Sequence, residues 1–136
     1  MNNIEQTLSI IKPDAVERNL IEKIKDIFKK NKLNIKDSKK IHITKDEAAE
    51  FYKVHQSKPF YNDLCAYLSS GPIVVMILEG EDAVKTNRKI MGATNPKDAE
   101  ENTIRKLYGI SIDKNSVHGS DSLDNAKKEI DFFFKD

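Results

Sequence analysis

Asn115-Ser-Val-His-Gly-Ser-Asp121 is the stretch in which the chain passes from an extended segment into its last helix. Ser116-Val117 is a short β-prone step, His118 follows it, and Ser120, Asp121 and Ser122 are all competent helix N-caps. Behind them Leu123, Ala126, Ile130, Phe133 and Phe134 recur at helical spacing. His118 is therefore expected at the end of a strand, just before a helix N-terminus. Unpaired N–H groups and the positive end of the helix dipole attract anions there. Gly119, with no Cβ, would let a ligand approach the backbone closely. A lone histidine at such a turn ordinarily only packs or faces solvent, so the rest of the chain has to carry any chemical reading.

Upstream, the pattern weakens from Ala93 to about Ser116: Thr94-Asn-Pro96, a short helix near Ala99 to Leu107, then Gly109. A loop this long in a compact domain is usually functional or disordered. Before it, a helix is expected from Glu81 or Asp82 to Met91-Gly92. Ile73-Val-Val-Met-Ile-Leu78 is an unbroken apolar run suited to a strand covered on both faces. Ser69-Ser-Gly-Pro72 is a turn, Tyr61 to Leu68 a helix with Leu64, Cys65 and Leu68 inward, and Ser57-Lys-Pro59 a break. Thr44-Lys-Asp-Glu47 has the form of a capping box opening a helix to about His55.

Nearer the start, Leu33 to Ile43 reads as a strand with an irregular middle. A single helix from Pro13 or Asp14 to Asn31 carries the stripe Ile21, Ile24, Ile27, Phe28. Thr7-Leu-Ser-Ile-Ile11 is a strand stopped by Lys12-Pro13, since proline cannot continue a central ladder. The order β-α-β-α-α-β-α-loop-β-α predicts a mostly antiparallel sheet with helices packed on it, an α+β sandwich.

At 136 residues the chain is expected to be one domain, residues 1–136, large enough for a proper core. The formal net charge of +1 gives no global field toward nucleic acid or membrane. Eight lysines lie between Lys23 and Lys40, but Asp26 and Asp37 interrupt them, which fits a solvated face. The only cysteine, Cys65, excludes an intramolecular disulfide framework or a cysteine-built zinc cluster. No apolar run approaches a membrane span and no signal peptide is apparent, so a cytoplasmic address is expected.

The phosphate-binding GxxxxGK[ST], the dinucleotide GxGxxG and the zinc HExxH are all absent. Cationic and polar residues do stand at element ends: Lys12 after the first strand, Arg88 before the long loop, Thr94 on it and Arg105 in its short helical piece. Each alone would ordinarily be a solvated surface group. Together with His118 they supply what phosphoryl transfer needs, namely a nucleophile, fixed positive charge and donors to the phosphate oxygens. Lys58-Pro-Phe-Tyr61 sets Phe60 beside a rigid turn, where it could stack on a base or join the core.

Thr7-Leu-Ser-Ile-Ile-Lys-Pro-Asp-Ala-Val16, Lys58-Pro-Phe60, Ser70-Gly-Pro72, Arg88-Lys-Ile-Met-Gly-Ala-Thr-Asn-Pro96, Thr103-Ile-Arg105 and Asn115-x-x-His-Gly-Ser-Asp121 together resemble nucleoside diphosphate kinase. The likeness runs from about Gln6 to Phe134 with the motifs in the family's order, the last being its active-site signature. The resemblance implies a ferredoxin-like βαββαβ fold, a four-stranded antiparallel sheet covered by helices. It implies transfer of the γ-phosphate of a nucleoside triphosphate (typically ATP) to a nucleoside diphosphate such as GDP, with broad base and sugar tolerance. The reaction would be ping-pong through a phosphohistidine on His118.

Carried over by motif, Glu129 and Ser120 would support His118, and Lys12, Tyr52, Arg88, Thr94, Arg105 and Asn115 would surround phosphates and ribose. Phe60 would lie against the base with Ile112 on its other side. Mg2+ would be held mainly by the nucleotide phosphates rather than by a protein cage, and the protein would be a homo-oligomer, tetramer or hexamer. The loop departs from the family pattern in three places: Asn102 in place of the usual glycine, Leu107 in place of an acid, and the pair Asp113-Lys114 in place of Gly-Arg.

Two other classes compete. A non-enzymatic module binding single-stranded nucleic acid would need aromatics along its strands and a basic face, whereas the run 73–78 is aliphatic and the net charge small. A histidine-dependent phosphatase or relay would hydrolyse the phosphoenzyme and leave the Lys12 and Phe60 segments without a purpose.

Overall fold

A computed structural model describes residues 4–53, 56–110 and 116–134. Four strands form one sheet in the order β2-β3-β1-β4, with β1 Ile4–Ile11, β2 Asn34–Ile41, β3 Ile73–Glu81 and β4 Val117–Gly119. Each neighbouring pair is antiparallel. This is the βαββαβ, ferredoxin-like α+β arrangement that the resemblance implied. Seven α-helices are described: α1 Pro13–Glu17, α2 Ile21–Lys30, α3 Lys45–Phe51, α4 Tyr61–Leu68, α5 Ala83–Met91, α6 Ile104–Tyr108 and α7 Leu123–Phe134.

The central position of β3 follows from its composition. Val74, Met76 and Leu78 face a core shared with Ile24 and Phe28 of α2 and Ile90 of α5. Ile73 and Val75 face the opposite core, with Leu68 of α4, Ala48 of α3 and Phe133 of α7. An aliphatic run is stable only where both faces are covered, and burying each such side chain contributes about 1.5–3 kcal/mol. β2 is a largely exposed edge, and its expected irregularity is a register shift between Ile35 and Asp37. Among the described residues no helix is long and apolar enough to cross a membrane.

Local signals set most boundaries. Thr44 and Glu47 make a reciprocal capping box, each side chain bonding the other's backbone N–H, at 3.1 and 2.9 Å. α3 closes with Tyr52 as its C-cap, short of the expected end at His55, which lies outside the described residues. Two expectations are corrected. The helix after Pro13 is two helices, because Asn19 adopts φ 61° and turns the chain between Glu17 and Ile21. The helix placed near Ala99 to Leu107 is a 3-10 turn over Pro96–Asp98 and then α6, which begins only after the Thr103 cap. Asn102 precedes that cap at φ 69°. Asparagine tolerates this left-handed conformation, so it can stand where the family usually has glycine.

Candidate active site

β4 is a short edge strand on β1, with Ile10 opposite His118 and Ile11 opposite Val117. Alternation puts Val117 into the core beneath α5 and turns His118 to the face that carries α7. There Glu129, two turns into α7, brings Oε1 to 3.2 Å from His118 Nε2. The Ser120 hydroxyl donates to the same oxygen at 2.6 Å. Phe51, at the end of α3, meets the imidazole edge-on with centroids 5.3 Å apart. The ring is thus held by a carboxylate on one nitrogen and an aromatic against its side, with Nδ1 outside the bond to Glu129.

The helix N-terminus beside it is capped by one of the expected residues: Ser122 Oγ accepts the Asn125 N–H at 3.1 Å, while Asp121 Oδ1 accepts the Asn125 side-chain amide at 2.5 Å. That amide bond, together with Arg88, holds the Asp121 carboxyl below its usual range. Gly119 lines the cleft of His118 and has a packing reason as well. A Cβ there would come within 2.3 Å of Asn87 Nδ2 and 2.7 Å of the Met91 methyl, so the glycine lets α5 pack tightly behind the histidine strand.

The cationic side of the site is built from α5 and α6. α5 buries Val84, Asn87, Ile90 and Met91 and leaves Arg88 exposed in its last turn. It ends at Gly92, whose φ of 86° no L residue adopts comfortably and whose missing Cβ leaves room for Thr103. The turn brings Thr94 and Arg105 to the same wall. Arg105 is 8% exposed, its Nη1 donating to the Gly92 carbonyl and its Nη2 to that of Val117, each at 3.0 Å. Burial, and secondarily the charge of Arg88, pull its guanidinium down to about 10. Two like charges held together in this way favour an anion between them.

Arg88, Thr94, Arg105 and Asp121 line one cleft of about 920 Å³, whose rim also carries Lys85 and Lys89 and the carboxylates Glu5, Asp82, Asp98 and Glu100. His118, Phe51, Lys53, Lys128 and Glu129 line a second of about 400 Å³, and Asp121 belongs to both. A phosphate chain crossing from one to the other would pass from the arginines to the imidazole.

The remaining expected residues are distributed as follows. Lys12 is more deeply buried than an exposed-head lysine, at 6%, and its backbone N–H donates 2.8 Å to the Ser116 carbonyl, two residues before His118. Tyr52 is buried against Phe51, and burial, with smaller contributions from Cys65 and Glu129, pushes its phenol further up. Phe60 is 44% exposed at the turn before α4, with Lys58 Nζ 5.6 Å above its ring, so it is not a core residue. Ile112 and Asn115 lie outside the described residues, as do Asp113 and Lys114. Sequence reasoning did not single out Phe51, Lys53 and Lys128, which line the His118 cleft, and read Asp121 only as a cap and motif residue. Phe51 had a usable signal in its place beside Tyr52, but the others read as ordinary helix and cap residues.

The family model described as nucleoside diphosphate kinase matches residues 5–136. The chain belongs to the nucleoside diphosphate kinase family. It is accordingly an enzyme of the transferase class. It is 60% identical over 131 residues to the nucleoside diphosphate kinase of Nitratiruptor sp., covering 96% of each chain. To that of Campylobacter jejuni it is 58% identical over 132 residues, covering 97% of this chain and 96% of the relative. Among solved structures, the Aquifex aeolicus nucleoside diphosphate kinase superposes with a TM-score of 0.96 at 43% identity, over 98% of this chain and 96% of that one. The apo enzyme of Encephalitozoon cuniculi gives a TM-score of 0.94 at 39% identity, over 97% of this chain and 90% of that one.

Proposed function

We propose that the protein passes the γ-phosphate of a nucleoside triphosphate, typically ATP, to a nucleoside diphosphate in two half-reactions through a phosphohistidine on Nδ1 of His118. The observation that carries this reading is the Ser120–Glu129–His118 chain standing beside the arginine-walled cleft. A carboxylate can only accept, so Glu129 keeps the proton on Nε2 and leaves the Nδ1 lone pair free to attack. In the first half-reaction that lone pair forms a P–N bond as the bond to the bridging oxygen breaks, and the diphosphate departs with the electrons. In the second, a terminal oxygen of the acceptor diphosphate takes the phosphoryl group and the pair returns to Nδ1.

Exchange between two phosphoanhydrides is nearly thermoneutral, so the intermediate must be labile. A phosphohistidine satisfies this, whereas an ester on Ser120 would be a trap. The Ser120 hydroxyl is turned to Glu129, consistent with an orienting partner. Arg88 and Arg105 carry the phosphate charge, with Lys12, Thr94 and Asn115 as further donors to phosphates and ribose. Tyr52, whose raised pKa keeps it protonated, acts as a donor. Phe60 stacks on the base with Ile112 opposite; stacking alone tolerates every base, which supports broad specificity.

Magnesium would arrive with the nucleotide. Among the described residues no group of three or more His, Cys, Asp or Glu could cage a metal, and the Asp121 carboxylate, common to both clefts, is a hard oxygen donor able to face it. When bound, the ion neutralises phosphate oxygens. We read the chain as one domain over 1–136, acting in the cytoplasm as a homo-oligomer, tetramer or hexamer. Leu107 and Ile110, 52% and 59% exposed beside the long loop, support assembly.

Intact mass after mixing with ATP and magnesium, then GDP, tests the reading. The expected result is gain of one acid-labile phosphoryl group, lost to GDP as GTP forms. A gain that decays to free phosphate without GDP would make the protein a hydrolase or relay, and no gain would make it a binding module. Glu129→Gln is expected to lower kcat by about 10²-fold with little change in KM. The amide can donate to Nε2 and so moves the ring proton to Nδ1, a tautomer error that costs up to ~10⁴-fold in a fully buried triad. Here the pair is about a fifth exposed and water partly compensates. Stopped-flow single turnovers check this, and an unchanged phosphorylation rate would remove Glu129 from the chemistry.

A further inference from the structure

Ser116 sits two residues before His118 at φ 77°, a backbone conformation strained for serine, and is completely buried. Its hydroxyl donates 3.1 Å to Asp14 Oδ2, and Arg18 Nη2 donates to that same oxygen at 3.1 Å. The other oxygen, Asp14 Oδ1, accepts the Tyr67 hydroxyl, while the Asp14 N–H donates 3.1 Å back to that phenol oxygen. Arg18 also reaches the Tyr108 carbonyl at 2.6 Å and the Ser116 hydroxyl at 3.2 Å. Beside this cluster the Lys12 N–H donates 2.8 Å to the Ser116 carbonyl. One buried carboxylate thereby ties α1, α4, the end of α6 and the start of β4.

We propose that Asp14 is a positioning residue: it clamps the left-handed turn at Ser116 and so fixes Lys12 and His118, which flank that turn, relative to each other. The physical case rests on what would happen without it. A non-glycine residue at positive φ costs on the order of 1 kcal/mol or more unless the surroundings hold it. The Lys12–Ser116 backbone bond is formed only while the turn persists. Both oxygens of Asp14 are engaged by donors, so the carboxylate, 6% exposed, is satisfied and rigid rather than a reserve acid. The burial that pushes up the Tyr67 phenol, reinforced by its bond to Asp14, keeps that donor protonated. Asp14 touches neither cleft, so it acts through the residues it holds.

This inference rests on the kinase reading, and the experiment separates the two. Asp14→Asn is nearly isosteric but removes the charge and leaves one acceptor oxygen where Asp14 uses two, so Ser116 and Arg18 on one side and the Tyr67 hydroxyl on the other cannot all keep their acceptor. Ser116→Gly removes the hydroxyl and tolerates the positive φ, so it folds even if Asp14→Asn does not. Two quantities are read, each well below the variant's own Tm: exchange protection of the Lys12 amide, and the single-turnover rate of His118 phosphorylation by magnesium-ATP.

The expected result is a loss of at least tenfold in both quantities for Asp14→Asn and a smaller loss for Ser116→Gly, whose glycine holds the positive φ without strain. The double variant should be no slower than the slower single one, because both break the same clamp. Lost amide protection with a wild-type phosphorylation rate would make the cluster merely structural and overturn the proposal, as would independent, multiplying losses in the double variant. A wild-type protein that takes no phosphoryl group, yet whose Lys12 amide is protected, would overturn the kinase reading and with it the positioning role.

Discussion

His118→Ala takes no phosphoryl group from ATP, and its transfer to GDP falls by at least about 10⁴-fold, the scale on which loss of a covalent nucleophile is felt. The fold should survive. The β4 ladder to β1 is made by backbone groups, and the ring is half-buried, touching Glu129 and the edge of Phe51 rather than either core. A Tm within a few degrees of wild type is therefore expected alongside a dead enzyme. The acid lability of any residual phosphorylation distinguishes the alternatives. Ser120 stands two residues on, and an acid-stable mass gain in the variant would assign it as an acceptor. An acid-labile gain would mean that a different histidine carries the phosphoryl group. Either result would take His118 out of the proposed role.

Where a single residue type carries a local rule, its structural consequence could be read directly. The capping box at Thr44 and Glu47, the aliphatic run at β3, the C-terminal Gly92 and the step from strand to helix after His118 all stand where periodicity and turn chemistry put them. Boundaries failed where a left-handed residue intervened, because Asn19 and Asn102 look like ordinary polar residues until their φ is known. Gly119 was legible as a special position, but one reason for it was not: the missing Cβ also answers to Asn87 and Met91, which arrive from another element. The Asp14 cluster joins residues 53 and 102 positions apart, separations that no local pattern encodes. The candidate cationic set was proposed from its motifs, but the placing of Arg88 and Arg105 on one cleft follows only from the turn between α5 and α6.

That turn makes Arg105 the more informative arginine to remove. Arg105→Met should cost about 2–4 kcal/mol of transition-state stabilisation, or roughly 10²–10³-fold in kcat/KM, as for other preorganised charge donors. Two opposing effects act on stability. Loss of the guanidinium leaves the Gly92 and Val117 carbonyls without these donors, a cost of about 1–3 kcal/mol if both stay dry. Against this, a cation whose pKa is pulled down to about 10 by burial and Arg88 is disfavoured in the folded state, so its removal relieves some energy. Arg88 is exposed and its repulsion is screened by solvent, so the lost bonds should win and Tm should fall.

Arg105→Lys separates charge from geometry. It restores the cation but cannot reach both carbonyls and a phosphate with one fork, so it should recover less than half of the lost activation energy. The depressed pKa also sets a sign for pH. Burial and Arg88 lower the Arg105 pKa, so any loss of its charge lies on the alkaline side and the wild-type rate should not rise with pH there. A Met variant with wild-type kcat/KM and lowered Tm would reduce Arg105 to a strap between two carbonyls. The phosphate charge would then have to be met by the exposed cations of α5 that line the same cleft, Lys85, Arg88 and Lys89, and solvent-screened contacts of that kind supply much less than a buried, preorganised guanidinium.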